Sequence, residues 1–164
     1  MSLRISIRKA TEEDQDSLWE ILSPIIRAGG TYVFDPESSR EKMLDYWTNK
    51  DKMTYVAEKN GLILGTFYLK ANQPDLGSHV CNAGFMVADH ASGKGIGKAM
   101  GKFALLEAKR LGFEAMQFNF VIKTNEKAVT LWKSLDFEVI GEVPEAYRHP
   151  QLGLVPALIM YQKL

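Results

Sequence analysis

The sequence predicts an α+β fold, a mixed and mostly antiparallel sheet of about seven strands flanked by about four helices. Short segments in which polar and apolar residues alternate recur along the chain and indicate strands. Four other segments carry apolar residues at helical spacing. Two strand segments meet at Asn60-Gly61, a dipeptide typical of a tight hairpin, so part of the sheet must be antiparallel.

Length and composition indicate one ordinary globular domain. The 164 residues suffice for a sizeable core, and no repeat or linker divides them, so we expect a single domain over 1–164. The 20 basic residues are balanced by 20 acidic ones, which argues against a general binder of nucleic acid or of anionic membranes. The single cysteine, Cys81, excludes an internal disulfide.

The expected location is the cytoplasm. A chain with one cysteine suits a reducing compartment. The N-terminal segment carries Arg4, Arg8 and Lys9 and lacks the apolar run of a signal peptide. No segment reaches the roughly 20 apolar residues that a membrane helix requires.

The first part of the chain is predicted to form a strand and a helix. Ile5 and Ile7 alternate with polar residues and indicate the strand. Thr11, ahead of an acidic turn, is typical of a helix N-cap. Pro24 predicts a kink in this helix, which weakens at Gly29-Gly30. Its apolar face consists of Leu18, Ile21, Leu22 and Ile25.

A loop, a second helix and three strands are predicted to follow. The segment 31–36 is expected to be a loop, after which Ser38 or Ser39 caps a helix. That helix contains Met43, Leu44 and Trp47. The predicted strands are 53–58, 62–70 and about 79–87.

The remaining elements complete the β-α-α-β-β-β-α-β-α-β-β order. A third helix follows a glycine-rich loop and ends at Gly112. Its buried face is expected to contain Ile96, Met100, Phe103 and Ala104. Residues 116–120 alternate as a fifth strand, and 139–143 and 157–161 are the last two strands. A fourth helix lies between the fifth strand and segment 139–143. It contains Ala128, Leu131, Trp132 and Leu135 at i, i+3, i+4, i+7 spacing.

The sharpest local feature is the loop before the third helix. Gly93, Gly95 and Gly97 free backbone N–H groups, and a helix start adds unpaired donors and a positive dipole end. Lys94 and Lys98 add positive charge, so the loop suits phosphates. The alternative is a turn and a helix start that bind nothing.

Two familiar phosphate-binding patterns do not match this loop. The P-loop pattern requires glycine where Ser92 stands and a hydroxyl residue where Ala99 stands. The dinucleotide fingerprint fails from either start, because its third glycine falls on Lys98 or on Met100.

The loop instead resembles the acetyl-CoA motif of the GNAT N-acetyltransferases. The resemblance implies that loop amides bind the pyrophosphate of coenzyme A. It also implies that Phe85, Met86 and Val87 pair through their backbone with the pantetheine arm. The matching loop residues are Ser92, Gly93, Lys94, Gly95, Ile96, Gly97 and Lys98. A second family motif begins at Asn125 and includes Ala128 and Trp132; its asparagine would contact coenzyme A. Acetyl-CoA is therefore the implied acetyl donor.

Three positions depart from the family pattern. Ser92 replaces the usual Arg or Gln, and Asp136 replaces a glycine. Trp132 stands where many relatives have the tyrosine assigned as the acid for the leaving thiolate, and an indole N–H is not a useful acid. Releasing a thiol of pKa near 8.5 as thiolate at pH 7 costs only about 2 kcal/mol, so catalysis without this acid is physically reasonable. Trp132 is also expected to pack in the core.

Residues 64–144 are similar to a narrower group, the L-azetidine-2-carboxylate N-acetyltransferases, which have tryptophan at the position of Trp132. The matching segments are Leu64-Gly65-Thr66-Phe67-Tyr68, Cys81-Asn82-Ala83-Gly84-Phe85, Phe118-Asn119 with Val121, Thr124-Asn125, and Ile140-Gly141 through Val143-Pro144. The loop 31–35 also resembles the phosphinothricin acetyltransferases. Both groups act on small amino or imino acids.

This resemblance implies that Asn82 and Asn119 hold the substrate and polarise the acetyl carbonyl. Asparagine is disfavoured inside strands, and a buried carboxamide requires partners, so the pair is either satisfied structurally or kept for a ligand. A carboxamide can donate to a developing oxyanion, and Asn82 is our first choice for that role. Tyr32 and Phe34 are expected to wall the substrate pocket, or simply to pack.

The resulting hypothesis is transfer of acetyl from acetyl-CoA to the amine of a small amino or cyclic imino acid. The alternatives are a protein or peptide N-acetyltransferase and a non-catalytic coenzyme A sensor. A deep closed pocket would favour the first, and an open groove would favour acetylation of a protein. The expected partner is a small-molecule amine, with no nucleic acid, membrane or metal. Family resemblance alone suggests a homodimer.

Overall fold

The structure, a computed structural model, describes residues 4–164; residues 1–3 of the expected domain lie outside the described residues. Seven strands and four helices follow one another in the predicted order. The elements are β1 (Ser6–Lys9), α1 (Gln15–Ala28), α2 (Arg40–Thr48), β2 (Met53–Lys59), β3 (Leu62–Ala71), β4 (Val80–Val87), α3 (Ile96–Arg110), β5 (Ala115–Ile122), α4 (Glu126–Ser134), β6 (Glu138–His149) and β7 (Gly153–Lys163).

All seven strands belong to one sheet, in the order β1-β2-β3-β4-β5-β7-β6. Within the described chain, β4 and β5 are the one parallel pair, and the other neighbours are antiparallel. The helix α3 makes the crossover that a parallel pair requires. The predicted α+β class and the mixed, mostly antiparallel sheet are confirmed.

The helices cover both faces of the sheet. Adjacent residues of a strand point to opposite faces, and Gly65 and Thr66 of β3 show which helices lie on each face. A Cβ on Gly65 would meet Met100 of α3 at 2.8 Å. Thr66 accepts a hydrogen bond of 3.0 Å from the indole N–H of the fully buried Trp47 in α2. One face is therefore covered by α1 and α2, and the other by α3 and α4.

The first helix begins later than predicted, and it ends at Ala28, next to the predicted weak point Gly29-Gly30. Thr11 caps a short 3₁₀ turn, Glu12–Asp14, and α1 itself begins at Gln15. Pro24 lies inside α1, which continues to Ala28. The predicted cap of α2 is confirmed for Ser39, whose side chain accepts from the N–H of Lys42.

The last two strands are longer than predicted. The sequence indicated 139–143 and 157–161, whereas β6 has 12 residues and β7 has 11. The strand β6 lies at the edge of the sheet, and most of its side chains are exposed on both faces, so no alternation marks it. Across residues 4–164, no helix is both long enough and apolar enough to span a bilayer.

A buried carboxylate fastens the start of α1 to the sheet. Asp14 accepts hydrogen bonds of 2.8 and 2.9 Å from the guanidinium of Arg8 in β1 and one of 2.7 Å from the N–H of Thr11. The hydrogen bonds from Arg8 hold the pKa of Asp14 below its ordinary value. A depressed pKa contributes stability that is complete above the unfolded value and is lost as the pH falls through the folded value.

We therefore expect Asp14→Asn to lower the free energy of unfolding by about 1 to 3 kcal/mol at pH 7, because it removes charge-assisted hydrogen bonds. The difference between wild type and variant should shrink as the pH falls below about 3.9, where the unfolded carboxyl becomes protonated. Urea denaturation at pH 7 and at pH 3 measures both values. A difference that stays constant across this range would contradict the assignment.

Candidate active site

A gap opens in the middle of the sheet between β4 and β5. Their parallel ladder pairs Val80 with Ala115 and Cys81 with Met116, and it extends no further in the described residues. Beyond these pairs the two strands diverge, while β4 remains paired with β3 along its other edge as far as Val87. The free edge of β4 therefore faces an open cleft.

The hydrogen-bond pattern shows which backbone groups face this cleft. The N–H of Ala88 donates to Leu64 of β3, and in an antiparallel ladder successive residues turn their N–H and C=O groups to opposite sides. Phe85 and Val87 therefore turn these groups to the cleft. Met86 instead turns its groups to its β3 partner Thr66. This differs from the expectation that all three residues offer their backbone to a ligand.

The Tyr32 hydroxyl lies on this free edge. It accepts a hydrogen bond of 2.9 Å from the Phe85 N–H and donates one to the Phe85 carbonyl. Burial raises the pKa of the Tyr32 phenol above its ordinary value, so it stays neutral and can make both bonds. Tyr147 of β6 holds the loop that contains Tyr32, here called the Tyr32 loop. Its hydroxyl accepts a hydrogen bond from the Gly30 N–H at 2.9 Å and donates one to the Tyr32 carbonyl at 3.1 Å.

The glycine-rich loop lies at the end of the same strand. Gly93 and Gly95 have φ of 76° and 82°, a region that favours glycine. A Cβ on either residue would meet no atom of the described chain within 4 Å. The first turn of α3 has no side-chain cap within residues 4–164. Exposed backbone donors and open space are what an anionic phosphate group requires, so the predicted loop residues fit the pyrophosphate of coenzyme A.

Helix α4 packs beside the start of α3, where a Cβ on Gly97 would lie 3.2 Å from Leu131. The Asn125 side chain accepts from the Ala128 N–H at 3.4 Å, so it caps the helix. Helix α3 passes very close to α4, because a Cβ on Gly101 would lie 2.5 Å from Leu135 and 3.2 Å from Trp132. Glycine at position 101 thus allows the two helices to close the same side of the cleft.

Trp132 is the centre of an aromatic cluster on this side of the sheet. Its ring lies 4.7 Å from those of Phe85 and Phe118 and 5.8 Å from that of Phe137, between centroids. Only 8% of the residue is exposed, yet it still lines the cleft. The expectation that Trp132 packs in the core is confirmed.

Three asparagines meet on the opposite side of the cleft. The side-chain oxygen of Asn72 accepts a hydrogen bond of 2.6 Å from Asn119 and a long one of 3.5 Å from Asn82. Gln117 also donates to the Asn119 oxygen at 3.0 Å. Asn119 is therefore held in place, whereas in the described chain Asn82 makes this one long contact and keeps most of its capacity for a ligand.

Neither asparagine is buried, contrary to the expectation of two buried carboxamides. Asn82 is partly exposed and Asn119 is exposed. Both side chains line the cleft that opens where β4 and β5 diverge.

One cavity of about 310 Å³ joins these features. It contains the predicted residues Tyr32, Phe34, Asn82, Phe85, Asn119, Asn125, Ala128 and Trp132. The predicted residues outside its lining are Met86, Val87 and the loop Ser92, Gly93, Lys94, Gly95, Ile96, Gly97 and Lys98. The cavity thus opens on one side toward the asparagines and on the other toward α4.

Sequence reasoning missed four residues around this cavity. Tyr46 and Tyr68 line it, Asn72 positions the two asparagines, and Tyr147 fixes the Tyr32 loop. Tyr68 and Asn72 come from β3 and the turn after it, and no local pattern marks them. The fourth, Tyr147, is the buried residue of a mostly exposed edge strand.

Cys81 takes no part in this site. It is fully buried, and burial raises the pKa of its thiol to about 12. A thiol in that state is a poor nucleophile, which confirms the interpretation of Cys81 as a small buried apolar residue.

The comparisons with known proteins agree with this fold. The model of the Acetyltransferase (GNAT) family matches residues 16–137. A GCN5-related N-acetyltransferase from Kribbella flavida is 40% identical, with a TM-score of 0.93 and 98% of each chain covered. The N-acetyltransferase aca1 of Schizosaccharomyces pombe is 31% identical over 156 residues, covering 85% of this chain and 75% of that protein.

A more distant structure shows the same fold with the acetyl donor. The phosphinothricin acetyltransferase of Sinorhizobium meliloti, solved in complex with AcCoA, is 22% identical, with a TM-score of 0.84 over 98% of this chain and 88% of that chain. The chain belongs to the GNAT acetyltransferase family. It is an acetyl-CoA-dependent N-acetyltransferase. This activity contradicts the alternative hypothesis of a non-catalytic coenzyme A sensor.

Proposed function

We propose that this enzyme transfers acetyl to the amine of a small amino acid or cyclic imino acid. The observation that carries the proposal is the cavity where β4 and β5 diverge, with aromatic walls and two asparagines. Its volume of about 310 Å³ lies near the lower limit of small-molecule sites, about 300–1,000 Å³. The Tyr32 loop, held in place by Tyr147, forms part of the cavity wall. This arrangement suits a compact acceptor better than a polypeptide.

The resemblance of residues 64–144 to the L-azetidine-2-carboxylate N-acetyltransferases supports the cyclic imino acid as acceptor. Both Asn82 and Asn119, which carry that resemblance, line the cavity. The aromatic rings of Tyr32, Phe34 and Tyr68 provide apolar walls for a saturated ring.

In the proposed arrangement the donor enters from the α4 side and the acceptor from the asparagine side. Acetyl-CoA supplies an activated acetyl group. The neutral amine attacks its carbonyl carbon, the C–S bond breaks, coenzyme A leaves as the thiolate, and the amine proton passes to water. The N–H groups of Gly93, Gly95 and the first turn of α3 would bind the pyrophosphate. The cleft-facing backbone of Val87 would pair with an amide of the donor arm, whereas the N–H and C=O of Phe85 already bond to the Tyr32 hydroxyl.

Asn82 would donate its side-chain N–H to the acetyl oxygen as negative charge develops there, while Asn119 would orient the acceptor. Holding both reactants in one cleft supplies a large share of the rate gain. Trp132 would pack against the donor arm without acting as an acid.

We also propose that the chain forms one domain over 1–164, supported by the continuous seven-stranded sheet.

A thiol-release assay tests the proposal. With acetyl-CoA present, we expect turnover of proline, azetidine-2-carboxylate or a small amino acid, and at least tenfold lower kcat/KM for tetrapeptides that expose the same amine. Mass spectrometry of the product confirms N-acetylation, and reactions without amine measure background hydrolysis. Turnover of peptides with none of the free amino or imino acids would show that the acceptor is a polypeptide.

A further inference from the structure

A buried lysine lies directly behind the aromatic wall of the cavity. Lys52 follows α2, and only 2% of its side chain is exposed. Its ammonium nitrogen lies 4.1 Å from the ring centroid of Tyr46 and 5.4 Å from that of Tyr68. Both rings line the cavity, and their hydroxyls are 3.5 Å apart.

This charge is not fully neutralised by its neighbours. Asp51 lies 3.2 Å from Lys52 and also 3.2 Å from Lys70, so two cations share one carboxylate. Asp51 is half exposed and Lys70 is about one-third exposed, and solvent weakens their fields more than that of the buried Lys52. Lys52, Lys70 and Asp51 together carry a net charge of +1 beside the cavity.

The cavity itself contains no charge that could oppose this one. In the part of the chain that the structure describes, its lining includes no Lys, Arg, Asp or Glu. Its polar groups are phenols, carboxamides, a Thr hydroxyl and backbone. Lys52 therefore adds a positive charge from behind the wall, which Asp51 opposes in part.

We infer that Lys52 makes this pocket select amines that also carry a carboxylate, acting through the rings of Tyr46 and Tyr68. The inference rests on the proposed function and narrows it. A positive charge behind the wall favours the carboxylate of an amino or imino acid and disfavours a positively charged ammonium, so it also favours the neutral amine that reacts. Lys52 is thus a specificity-determining residue that need not contact the substrate.

The test compares matched substrates in matched variants. Proline and prolinamide have the same ring and amine, but only proline carries the negative charge. Through an intervening ring and at an effective dielectric constant near 20, the charge is worth about tenfold in binding. We expect Lys52→Met to lower kcat/KM for proline about tenfold, mostly through KM, and to change kcat/KM for prolinamide less than twofold.

Two further variants separate charge from packing. Lys52→Arg keeps the cation and should retain the preference for proline over prolinamide. Lys50→Met removes an exposed charge two residues away that belongs to none of these ion pairs, so we expect the preference to change less than twofold. Thermal unfolding of each variant shows whether the wall is intact.

The outcomes are distinct. If Lys52→Met lowers kcat/KM equally for both substrates, Lys52 is structural, and the inference is overturned while the proposed function stands. If Lys52→Met is too unstable to assay, equal wild-type kcat/KM for proline and prolinamide, each expressed per concentration of neutral amine, overturns the inference. If no amino or imino acid of the wider panel is acetylated, the proposed function itself is wrong, and the inference falls with it.

Discussion

Replacing Asn82 with alanine should lower kcat about 10²- to 10³-fold, the effect of removing one donor from an oxyanion site. The affinity for coenzyme A should remain unchanged, because the proposed donor contacts come from α3, its loop and the backbone of β4. Stopped-time thiol release with saturating acceptor measures kcat, and isothermal titration with coenzyme A measures the affinity.

Asn82→Asp is the informative companion, because it keeps the shape of the side chain and removes its N–H donors. We expect a loss of similar size. Gln151→Ala, at the exposed turn between β6 and β7, removes a carboxamide that does not line the cavity and serves as the control. A decrease of less than threefold for both Asn82 variants would remove this residue from the catalytic machinery.

Replacing Trp132 with alanine should cost about 3 to 5 kcal/mol in the free energy of unfolding, as is usual for large buried aromatic residues. The ring contacts Phe85, Phe118 and Phe137 and supports α4 against the sheet. The stability of a domain is typically about 5–15 kcal/mol, so this loss is a large fraction of it. Chemical denaturation measures the change.

Trp132→Phe keeps one ring in the cluster and should cost clearly less. Trp19→Ala is the matched control, because Trp19 is a partly exposed tryptophan of α1 whose ring lies near Arg27. If the Trp132 and Trp19 truncations cost the same, the aromatic cluster does not stabilise the fold as its geometry indicates.

The order and class of the elements could be predicted because local patterns mark them. The Asn60-Gly61 hairpin, the glycine loop and the amphipathic α4 are all legible within a dozen residues. The length of β6 was not, since an edge strand exposed on both faces has no alternation. Pro24 does not end α1, which continues to Ala28, and the predicted kink stays a prediction.

The candidate site was predictable in part. Asn82, Asn119 and Trp132 were indicated by a family resemblance, and the structure brings them to one cavity. Asn72 and Lys52 could not be found in this way, because their roles depend on contacts between distant segments. A carboxamide after a strand and a lysine after a helix look like ordinary surface residues until the chain folds around them.

The short ladder between β4 and β5 has a mechanical consequence. In the described sheet, two residue pairs join one half, β1 to β4, to the other, β5 to β7. The two halves of the sheet are therefore joined by backbone pairing at one end and are bridged elsewhere by aromatic packing. On the proposed placement, the acetyl donor takes the position of an absent strand and stiffens the joint. Because a ligand that binds the folded form stabilises it by an amount that rises with the free ligand concentration, the stability of the sheet would follow the donor concentration.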